Sequence, residues 1–119
     1  MDIKKYKYQV KSKVIKPIVE HLNKYVIDCD YDLFSVLQCR IYLMNYLRKL
    51  NSIKHPSDEQ ILKAVKRVVI ALNKVNKSTK YTIFKTDERE SICEIIQNSA
   101  IECGLKEHID DITEEWREW

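Results

Sequence analysis

The side chains best able to do chemistry in this sequence are cations on helical spacings. Lys63, Lys66, Arg67, Lys74 and Lys77 recur at intervals close to a helical period. They point away from the apolar stripe Ile61, Val65, Val68 and Leu72. Lys4, Lys7 and Lys11 repeat the pattern near the N-terminus. Such faces can follow a phosphate backbone, and a face made mostly of Lys suits phosphate contact better than base reading. They can equally meet an acidic protein, and a solvated face is the ordinary state of an amphipathic helix. The C-terminal run from Asp110 to Trp119 is the second candidate. Trp116 and Trp119 are three residues apart, hence on one face of a short helix. With Asp111 and Glu115 they would form an aromatic anchor with an acidic rim, suited to binding a protein. The preferred reading is that the two Trp fasten the last helix to the core.

The cysteines Cys29, Cys39, Cys93 and Cys103 form two pairs, each with nine residues between its members. The spacing resembles the twin C-x9-C pattern of small mitochondrial intermembrane-space proteins, and that resemblance implies a disulfide-stapled helical hairpin. In that family a short loop joins the two motifs, whereas here the pairs lie far apart. Small apolar core fillers, reduced, are the expectation. Arg48 and His55 have six residues between them. They resemble the R-x4-6-H signature of helical HEPN-type ribonucleases, which implies acid–base work by the His and phosphate contact by the Arg. A helix should end between these two residues, and Pro56 follows His55 directly. We therefore read Arg48 as a cation near a helix C-terminus and His55 as a loop residue.

Other chemistries find no support. A zinc site wants four converging ligands, usually in close pairs, and His21, His55 and His108 are scattered. A single Gly rules against phosphate-cradling or dinucleotide-binding glycine loops, and no nucleophile elbow occurs. Glu88/Glu90 and Asp110/Asp111 read as helix-terminal charges. The expectation is a protein without catalytic residues, metal or cofactor, and with no small-molecule ligand.

Positioning these side chains requires long helices. One Gly and two Pro in 119 residues leave too few special turns for a sandwich or barrel, and a hydrophobic content of 45% is enough for one core. No apolar run approaches the roughly 20 residues a membrane span needs. Met1-Asp2-Ile3-Lys4-Lys5 is not followed by a continuous apolar segment, so no secretory signal is expected. The net charge of +3 conceals a division. Residues 1–86 carry 18 Lys/Arg and 7 Asp/Glu, a net of +11, while residues 87–119 carry 3 and 11, a net of −8. The two parts either pack together and partly cancel, or each faces a partner of opposite sign.

Ile3, Tyr6, Val10, Val14, Ile18, Leu22 and Tyr25 follow helical spacing through Pro17, where a helix can start or kink. A second helix should start near Asp30 or Asp32 and end at Asn51-Ser52. Leu33, Phe34, Leu37, Ile41, Met44, Leu47 and Leu50 form its apolar stripe, widened by Val36 and Leu43, which predicts the most buried helix of the chain. Ser57-Asp58-Glu59-Gln60 fits a capping box opening a third helix, which ends at Asn76–Thr79. Asp87-Glu88-Arg89-Glu90 reads as another box, with Gly104 closing the fourth helix. Thr113 would cap a short C-terminal helix, Glu114–Trp119.

The prediction is one all-α domain over residues 1–119: a compact bundle of four main helices plus the short C-terminal one. The alternative is an α+β fold in which residues 6–14 pair with 80–85 as strands. Function is read as non-catalytic protein binding of the inhibitor, immunity or adaptor type, or a small viral or phage effector. The alternative is a nucleic-acid-binding module using the Lys-rich faces of the first and third helices. The expected location is the cytoplasm, or the host-cell cytosol for a viral protein.

Overall fold

The computed structural model describes residues 16–23 and 32–119, with backbone alone for Lys16, Leu22 and Asn23. Four helices follow one another: α1 (Lys16–Asn23), α2 (Leu33–Ser52), α3 (Asp58–Ser78) and α4 (Thr86–Glu102). No strand occurs among the described residues, so the architecture is all-α. Lys4, Lys7, Lys11, Cys29 and the helix-or-strand reading of residues 6–14 lie outside them.

Local chemistry explains most helix boundaries. The Asp32 carboxylate accepts the Ser35 amide at 3.0 Å and caps α2. The capping box of α3 is formed: the Gln60 amide donates to Ser57 Oγ at 3.2 Å, and the Ser57 amide donates to Gln60 Oε1 at 2.9 Å. Gly104, at φ +106, closes α4. Its amide donates to the Ile101 carbonyl and that of Leu105 to Ala100, the paired bonds of a Schellman motif.

One alternative and two expectations are corrected. Residues 80–85 form no strand. Lys80 and Tyr81 sit at φ 57 and 64, and the Tyr81 amide bonds back to the Asn76 carbonyl at 2.8 Å, so this stretch is a left-handed stop for α3. The second capping box is also not formed. α4 starts at Thr86, and the Lys85 side chain makes no capping hydrogen bond there, which puts Asp87 and Glu88 inside the first turn. Their charges still favour that helix end, but Glu88 turns inward to His21 of α1 at 2.9 Å. Finally, the C-terminal segment is a turn over residues 112–116 instead of a helix. Asp111 captures the Thr113 amide at 2.9 Å and its hydroxyl at 2.6 Å. Asn73 of α3 takes the Trp116 carbonyl at 2.7 Å and the Glu118 amide at 3.0 Å. These bonds use backbone groups a helix would need.

One core unites the four helices. Ile18 enters from α1, Leu43 and Leu47 from α2, Val65 and Leu72 from α3, and Ile92 and Ile96 from α4, with Ile83 and Ile112 added by the connections. α3 packs most extensively on α2, and α1 lies across α2 and α4. The Tyr46 hydroxyl donates to the Ile96 carbonyl at 2.8 Å, joining α2 to α4 inside the core. The Asp58 carboxylate, in the first turn of α3, accepts the amides of Lys106 and Glu107 at 2.9 and 3.0 Å and so holds the loop after α4.

Candidate functional site

The face that α2 buries differs from the predicted one. Val36, Cys39, Leu43, Tyr46, Leu47 and Leu50 line the core. Leu33 and Phe34 are 63% and 65% exposed, and Leu37 and Ile41 are exposed as well. Leu33, Leu37 and Ile41 are four residues apart, so they form a row along the outer face, flanked by Phe34. α2 is apolar on two opposite sides, and the core takes only one of them.

Cations cluster on the same hairpin. Arg40, Arg48, Lys49, Lys54, Lys63, Lys66, Arg67, Lys74 and Lys77 are all exposed, nine charges within residues 33–78. None forms an ion pair among the described residues. Only Asp58 and Glu59 oppose them in this stretch, and Asp58 is occupied by the loop amides. The five cations predicted on the third helix, Lys63, Lys66, Arg67, Lys74 and Lys77, therefore share one outer face, with half-exposed Ile70 among them. Among the described residues no ion pair joins these nine cations to the acids of residues 87–119.

Between α2 and α3 lies an open trough of about 590 Å³. Tyr42, Tyr46 and Lys49 reach it from α2, and Lys63, Ala64, Arg67, Val68 and Ala71 from α3, while Ile53 and Gln60 close it at the connection. No carboxylate lines it among the described residues. Periodicity could not reveal this trough. It needs two helices side by side, and small residues at Ala64 and Ala71 where larger ones would fill the space.

The acidic candidates occupy a different environment. Trp116 and Trp119 are half-buried and pack against the core. The Trp119 ring lies 4.9 Å from that of Phe84, and the Arg117 guanidinium stands 5.5 Å above it. Asp111 bonds Thr113 and pairs with Arg117 at 3.4 Å, leaving Glu115 exposed. These four residues are therefore not assembled into a single exposed face.

The remaining chemical candidates are dispersed. Arg48 is exposed on α2, and His55 stands in the following loop at φ 55. Cys39, Cys93 and Cys103 are free thiols. Burial pushes the Cys39 thiol up to about 12, against a backbone hydrogen bond. Burial and the neighbouring Glu102 charge push Cys103 up to about 11. Both stay protonated and unreactive near neutral pH. Cys93 accepts from Arg117 Nη1 at 2.9 Å and lies 3.6 Å from the Thr113 hydroxyl. Among the described residues no cluster of three or more His, Cys, Asp or Glu could hold a metal ion, and no helix is long and apolar enough to cross a membrane. The chain matches no family model, no curated protein and no solved structure.

Proposed function

We propose that this is a non-catalytic protein-binding protein, of the inhibitor, immunity or adaptor type, that engages its partner through the outer face of the α2–α3 hairpin. The carrying observation is the exposed row Leu33, Phe34, Leu37 and Ile41. A contiguous apolar row left in water by a helix whose other side fills the core marks an interaction surface. The exposed cations on the same hairpin favour a partner with acidic groups and speed the encounter. On this reading the four helices act as a rigid bundle that presents the row. The Trp116 and Trp119 pair serves the fold, and free thiols support a reducing compartment, the cytoplasm or a host-cell cytosol.

The second reading is a nucleic-acid-binding module using the Lys-rich faces, favoured by the nine exposed cations that form no ion pair among the described residues. Affinity capture from the native host, with and without nuclease, separates the two. The first reading predicts one protein partner that survives nuclease and is lost with Leu37→Asp/Ile41→Asp. Loss of every partner on nuclease treatment, with retention by that variant, would transfer the function to nucleic acid.

A further inference from the structure

The trough between α2 and α3 is built differently from the apolar row. Its floor is uncharged: Tyr46 and Val68 are buried, and Ala64 and Ala71 are half-buried. Ala64 and Ala71 are two helical turns apart on one side of α3, and they recess that side beside α2. Exposed Lys49, Lys63 and Arg67 stand along the rim. From Gln60 to Ala71 the α3 wall runs for about 16 Å, three turns of an α-helix. A channel between two packed helices, floored by small residues, accepts a third helix by ridge-into-groove packing.

We propose that this trough docks an acidic amphipathic helix of a partner protein. The helix lays its apolar face on Ala64, Val68 and Ala71 and sets its carboxylates against Lys49, Lys63 and Arg67. The inference rests on the protein-binding reading above and names the chemistry of the partner. Charge complementarity carries it, because among the described residues three cations and no carboxylate line the site, beside neutral Asn45 and Gln60, the tyrosine rings and the apolar floor. The rim charges fix orientation and encounter, while the floor supplies the apolar contact. A phosphate chain would use the rim alone and would not depend on how much room the alanines leave.

The test uses the full chain and fluorescence anisotropy in about 0.15 M salt, where interactions between exposed charges more than about 8 Å apart are largely screened. The probe is a labelled helix-forming peptide of roughly 16 residues, with Leu at helical spacing and Glu on its flanks. Its controls are a scramble, a version with Lys for Glu, and a single-stranded DNA oligonucleotide. The wild-type protein should bind the probe about tenfold more tightly than either peptide control. Lys63→Glu/Arg67→Glu and Ala64→Phe should each lower affinity about tenfold. Ala71→Met provides a second filling variant should Ala64→Phe disturb the helical circular dichroism. Leu37→Asp/Ile41→Asp should leave probe binding unchanged. Equal binding of the scramble, or full affinity in both filling variants, would overturn the assignment. So would oligonucleotide binding of equal strength that only the charge reversals remove. A dimer in sedimentation equilibrium that Ala64→Phe disperses would overturn it in favour of a second copy. Loss of probe binding confined to Leu37→Asp/Ile41→Asp would overturn the trough while leaving the proposed function intact.

Discussion

Asp111 shows how one side chain decides the course of the C-terminal segment. Burial pushes its carboxyl upward, but bonds from the Thr113 hydroxyl and amide, the Arg117 charge and the Glu114 amide outweigh this and hold it below the ordinary carboxylate value. A carboxylate depressed in the folded state contributes stability that is fully present above its unfolded pKa, about 3.9, and is lost as pH falls through the folded value. Tryptophan emission during acid titration should therefore show the C-terminal turn loosening below about pH 4, and Asp111→Asn should flatten that limb. Identical acid profiles for wild type and variant would contradict the role of Asp111. Lys80 offers a second test. It holds φ 57 at the end of α3, where the chain has no glycine. The left-handed conformation costs a non-glycine residue roughly 1–2 kcal/mol, and glycine's added unfolded-state freedom returns about 0.5–1. Lys80→Gly should thus stabilise the protein by on the order of 0.5–1 kcal/mol in urea unfolding. A loss of stability would contradict this account of the α3 terminus.

At the scale of elements, what could be read from sequence follows from how local each signal is. Asp32, Ser57-Gln60 and Gly104 act within a turn of their own position, and the ends of α2, α3 and α4 at these residues were legible for that reason. The end of α3 within Asn76–Thr79 was legible too, but the left-handed turn at Lys80-Tyr81 that follows it was not, because the usual glycine marker is missing. The apolar periodicity of α2 established a helix but could not choose its buried side, since Leu33, Leu37 and Ile41 repeat as regularly as Val36, Leu43 and Leu47. Packing by α3, α1 and α4 decides that choice. The C-terminal turn depended on Asn73, more than 40 residues earlier in the chain. Its removal is a direct test of that link. Deleting residues 110–119 takes Ile112, Trp116 and Trp119 from the core edge and leaves Asn73 buried without its partners. The truncated chain should lose on the order of 3–5 kcal/mol of stability. Intact protein should show blue-shifted tryptophan emission that iodide quenches weakly. An unchanged melting temperature after truncation would show that the segment is not structural.

At the scale of the whole molecule, apolar burial holds the helices together and leaves the cations of α2 and α3 facing outward. The α2–α3 hairpin carries nine exposed cations, an apolar row and a trough with no acid among its described lining residues. The acids of α4 and the C-terminal segment lie elsewhere in the chain and form no ion pair with those cations among the described residues. This arrangement makes the hairpin the binding element in our account. A partner docked there meets Leu33, Phe34, Leu37 and Ile41, and the exposed cations on the same hairpin select partners that carry negative charge. Methyl cross-saturation NMR of the labelled protein, bound to the partner recovered by nuclease-resistant capture, tests this most directly. The account predicts saturation transfer to the methyl groups of Leu33, Leu37 and Ile41. Transfer confined to Ile101, Ile109 and Ile112, with the α2 row silent, would contradict it.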